Sequence, residues 1–87
     1  MADSEKKIGL LAGAGEVPAH FARQAAQRGI RIIAVSFSDE IHTTLESLVE
    51  KAYSIGIGKP GKIFKTFKDE NVTDLVMLGK VDKKIIF

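Results

Sequence analysis

GLLAGAGEVP, residues 9–18, decides the fold of this chain. The apolar run from Ile8 to Ala12 stops at a glycine turn, and Pro18 stands where a helix would begin. A short apolar run ended by glycine suits a buried strand. Proline is at no disadvantage in a first helical turn, because the amide it lacks has no partner there. From Val17 to Arg28 the pattern becomes helical: Val17, Phe21 and Ala25 recur at i, i+4 and i+8, while Arg23, Gln24, Gln27 and Arg28 stay polar. Gly29 occupies the place of a left-handed C-cap. The stretch therefore predicts a strand, a tight turn and a helix.

The same alternation continues outward. Arg31 to Phe37, RIIAVSF, is rich in branched residues and predicts a second strand. Asp39 is placed to cap a short helix with Ile41, Leu45, Leu48 and Val49 on one apolar face. Tyr53, Ile55 and Ile57 alternate with Ser54 and Gly56, which predicts a third strand. GKPG at 58–61 is a turn, and Lys62 to Glu70 reads as a helix ended by Asn71. In that helix Ile63, Phe64 and Phe67 face inward, and Lys62, Lys65, Lys68 and Asp69 face outward. DLVML at 74–78 is the fourth strand; GKVDKKIIF, 79–87, begins as a loop and ends apolar. Strands that alternate with helices imply a parallel sheet with helices on its faces. The expected fold is α/β: a three-layer Rossmann-like half with a four-stranded, mostly parallel sheet in the order 3-2-1-4.

Composition sets the outer bounds. Eighty-seven residues make one domain at most. No run reaches the roughly 18 apolar residues of a membrane span, and the polar start MADSEKK is no signal peptide. The absence of cysteine excludes disulfides and thiolate metal sites. A net charge of +2 is too small to argue for nucleic acid. The charge is uneven, however: seven of the thirteen basic residues lie from Lys59 onward, against four acids there. A solvated helix face accounts for this, and an anion-binding surface is the alternative. The apolar end, KKIIF, has nothing after it to cover it, and predicts a piece of a longer protein whose exposed end self-associates.

Four features are candidate sites. Gly13 and Gly15 form the first half of a dinucleotide fingerprint, but Pro18 replaces its third glycine. Ser36 and Ser38 stand where the ribose-binding acid belongs, so the fingerprint argues against NAD. Two readings of the loop stay open: an anion cradle at a helix N-terminus, or a glycine turn that reverses the chain. Glu16 weighs against the first, since its carboxylate competes for the positive helix end. In the order 3-2-1-4 the crossover direction reverses between strands one and four, and open α/β sheets bind ligands at that switch point. Gly79, Lys80 and the Gly13–Gly15 loop would then face one crevice, with Lys80 as a point charge for phosphate. GKPGK, 58–62, carries Lys59 and Lys62 on a glycine turn, for which turn chemistry is the simpler account. His20 and His42 each stand without a carboxylate or histidine at metal-ligand spacing and read as structural. No Ser–His–Asp set and no paired carboxylates emerge.

Three of these motifs in register resemble the N-terminal domain of the LpxI-type UDP-2,3-diacylglucosamine pyrophosphohydrolases. That family's G-L-I-A-G-G-G-x-L-P start is matched by Gly9, Ala12, Gly13, Gly15 and Pro18, with Ala14 in place of the middle glycine. Its G-K-I/L-x-K segment is matched by Gly61, Lys62, Ile63 and Lys65, and its G-K-V turn by Gly79, Lys80 and Val81. The resemblance spans essentially the whole chain. It implies a bacterial hydrolase of lipid A biosynthesis that cleaves UDP-2,3-diacylglucosamine to lipid X and UMP with a divalent cation, usually Mg²⁺. It also implies that the acidic catalytic residues and the metal belong to a C-terminal domain, so that no catalytic residue and no cofactor is expected on residues 1–87. Gly13, Ala14, Gly15, Gly79, Lys80 and Val81 would close one side of the substrate cleft. The implied location is cytoplasmic, with peripheral contact at the inner membrane, although no single stretch is amphipathic enough to anchor there. A stand-alone nucleotide-binding module and a protein-interaction module are the alternatives.

Overall fold

The computed structural model describes residues 7–56 and 58–80. Seven elements follow one another: β1 (Lys7–Ala12), α1 (Val17–Gln27), β2 (Arg31–Ser36), α2 (Asp39–Leu45), β3 (Lys51–Ser54), α3 (Pro60–Asp69) and β4 (Asp74–Leu78). The strands form one parallel sheet in the order β3-β2-β1-β4, the order that the alternation predicts. Each parallel crossover is right-handed by default. The first two crossovers therefore place α1 and α2 on one face, and the third, which runs back across the sheet, places α3 on the other.

Side-chain alternation along the central strands gives each face its own core. Leu10, Ala12, Ile32 and Ala34 pack with Ala19, Ala22 and Ala25 of α1 and Leu45 of α2. Leu11, Ile33 and Val35 pack with Ile63 and Phe67 of α3 and with Ile55. A parallel strand covered on both sides needs apolar residues at successive positions, which is why β1 and β2 read as continuous apolar runs.

Four local expectations are corrected. The buried stripe of α1 is Pro18, Ala19, Ala22 and Ala25; Phe21 is half-buried, and Val17 is 55% exposed. The alanines let the helix lie close to the sheet, and that close packing decides which face turns inward. Phe64 is likewise 56% exposed, because Ile63 and Phe67 fill the contact beneath α3. Ser38, not Asp39, caps α2: its hydroxyl accepts from the Ile41 amide, while the Asp39 carboxylate takes the Ser54 hydroxyl at 3.0 Å. The third strand is Lys51–Ser54 rather than the stretch beginning at Tyr53. Its pairing with Ile33–Ser36 ends at Ser54, after which Ile55 drops into the α3-side core. Ile57, which the alternation places on that strand, lies outside the described residues. Gly29 and Asn71 do end α1 and α3 in left-handed backbone, at φ 71° and 61°.

Candidate functional site

The turn after β1 and the turn after β4 meet at the switch point. Gly13 donates its amide to the Leu78 carbonyl at 2.8 Å, and Ala14 and Lys80 exchange both backbone hydrogen bonds at 2.8 Å. Ala14 and Lys80 thereby form a short antiparallel bridge at the end of a parallel sheet. Two glycines make the approach feasible. A Cβ on Gly13 would lie 2.5 Å from the Lys80 carbonyl oxygen; one on Gly79 would lie 2.8 Å from the Gly13 carbonyl carbon. Gly79 also has φ +96°, a backbone that L side chains rarely adopt.

The structure thus brings together Gly13, Ala14, Gly79 and Lys80, but by direct contact rather than across an open crevice. The amides of Gly13, Ala14 and Lys80 are spent on backbone partners. Those of Gly15, Glu16 and Val17 make no hydrogen bond among the described residues. They belong to the start of α1, whose N-cap Glu16 offers no side-chain cap. Gly15 has φ +104°, with open space where a Cβ would stand. A cleft of about 550 Å³ opens beside it between α1 and α2, lined by Glu16, His20, Arg23, Glu40 and Thr44 among others. Donors at a helix start favour an anion; the Glu16 and Glu40 carboxylates at the same cleft oppose one. Val81 and the KKIIF end lie outside the described residues.

His42 corrects another expectation. Glu46, one helical turn on, lies 3.6 Å from its Nε2, so this histidine does have a carboxylate beside it. Among the described residues, however, no group of three or more His, Asp or Glu could hold a metal ion. The donor set does not fit the divalent cation that the family resemblance implies, and no metal-dependent step is assigned to these residues.

The titratable groups that do interact strongly lie elsewhere, around the starts of β1 and β2 and the end of α3. Arg31 holds both Glu50 carboxylate oxygens, at 2.6 and 3.1 Å. The Glu70 carboxylate accepts from the Tyr53 hydroxyl and from Lys51 Nζ at 3.2 Å, and Lys7 Nζ donates to the Glu70 carbonyl at 3.0 Å. The Arg31 hydrogen bond lowers the Glu50 pKa from its ordinary 4.5, and the Tyr53 hydrogen bond does most to lower that of Glu70. The same bond to Glu70, together with burial, raises Tyr53 above 10.0. This network ties β1, β2 and β3 to the end of α3. Sequence reasoning missed it because its members lie 17 to 63 residues apart.

A pH dependence follows from these directions. A carboxyl whose folded pKa is lowered stabilises the fold fully above its unfolded value, and that contribution disappears as pH falls through the folded value. A phenol whose folded pKa is raised contributes fully below its unfolded value and loses the contribution as pH rises through the folded one. Urea midpoints should therefore be flat between the two ranges, fall below pH 4.5 and fall again above pH 10.0. Tyr53→Phe should flatten the alkaline fall; an unchanged alkaline limb in that variant would remove Tyr53 from the account.

Parallel strands in the order β3-β2-β1-β4, helices on both faces and two turns joined at the switch point define half of a doubly wound α/β fold. A comparison with protein families matches residues 7–87 to the LpxI N-terminal domain, and the chain belongs to the LpxI family, which serves bacterial lipid A biosynthesis. Among curated proteins, none matches the chain. No helix among the described residues is long and apolar enough to cross a membrane.

Proposed function

We propose that this chain forms the N-terminal side of the substrate cleft in a UDP-2,3-diacylglucosamine pyrophosphohydrolase, which yields lipid X and UMP. The observation that carries the reading is the family match over residues 7–87. The joined turns at the switch point support it, since α/β sheets present ligands there. In this reading Gly13, Ala14, Gly79 and Lys80 fix the shape of the cleft wall through their mutual backbone contacts. The free amides of Gly15 to Val17 and the Lys80 ammonium meet the charged part of the substrate. The catalytic carboxylates and the divalent cation belong to an LpxI C-terminal domain, and the location is the cytoplasm.

The test is release of UMP from UDP-2,3-diacylglucosamine in the presence of Mg²⁺, followed by mass spectrometry. The 87-residue chain alone should release none, and the chain joined to an LpxI C-terminal domain should release UMP and lipid X in equal amounts. In the joined protein Lys80→Ala should lower kcat/KM about tenfold, the scale of one charge-assisted contact. No turnover by a folded joined protein would overturn the reading.

A further inference from the structure

We draw no further inference here: the strongest candidate, the apolar groove between α3 and the edge strand β4 into which Phe64, Leu75 and Met77 open, carries none, because nothing in the structure shows what covers it.

Discussion

Gly79→Ala should lower the unfolding free energy by about 3 kcal/mol, the sum of a strained left-handed residue and an overpacked contact. A domain of this size has roughly 4–13 kcal/mol in total, so the loss is a large fraction of its stability. Three glycines at the switch point separate the causes. Gly79 combines φ +96° with a Cβ that would meet the Gly13 and Ala14 backbone at 2.8 to 2.9 Å. Gly13 has the contact without the positive φ: its Cβ would lie 2.5 Å from the Lys80 carbonyl oxygen. Gly15 has φ +104° and nothing within 4 Å of an added Cβ. Gly13→Ala should therefore cost about 2 kcal/mol and Gly15→Ala about 1 kcal/mol. Urea denaturation followed by circular dichroism ranks the three. If Gly13→Ala proves as mild as Gly15→Ala, the Ala14–Lys80 bridge is not a tight joint, and the proposed wall of the cleft loses its basis.

Phe67→Ala should cost about 4 kcal/mol, within the range for removing a buried aromatic ring. Phe67 is 5% exposed, and its ring lies directly over Gly9 of β1. A Cβ on Gly9 would come within 3.0 Å of two ring carbons and 2.9 Å of a Val72 methyl carbon. Gly9→Ala alone should then cost about 2 kcal/mol through overpacking. In the Phe67→Ala background the ring is gone, and only the half-buried Val72 must give way. The double variant should be more stable than the sum of the two losses implies, by about 1 kcal/mol. Strict additivity in the denaturation midpoints would mean that α3 does not rest on Gly9. The prediction matters for the site as well, since this contact sets the height of α3 above the strand that leads into the Gly13 turn.

Much of this architecture is legible in the sequence. The strand order can be read because strands that alternate with helices admit few topologies, and the crossover rule selects among them. The caps at Gly29 and Asn71 can be read because few residues adopt positive φ without strain. The stripe of α1 cannot, because alanine carries little hydrophobic signal; its use here is close approach, which only the packed neighbour reveals. Periodicity places Phe64 inward, yet one face of α3 is narrower than its apolar content, and the third residue opens into the groove beside β4. That groove joins residues of α3 to residues of β4, so no single amphipathic stretch displays it.

The sequence by itself determined the class of fold, the order of strands, the turn positions and the family, because each rests on local chemistry: periodicity, glycine, proline and short motifs. Only the tertiary structure decided that GAG and GK, which the strand order brings to one end of the sheet, are joined by direct backbone contact rather than held across a crevice. Gly13 and Gly79 are far apart in the chain, and their lack of side chains becomes a contact only when β4 is laid beside β1. The same pairing spends the amides of Gly13 and Ala14 on the neighbouring turn and leaves those of Gly15 to Val17 beside the cleft. A backbone hydrogen bond goes to whichever partner the fold brings within reach, and the reach is set by strand pairing rather than by the residues of the turn itself.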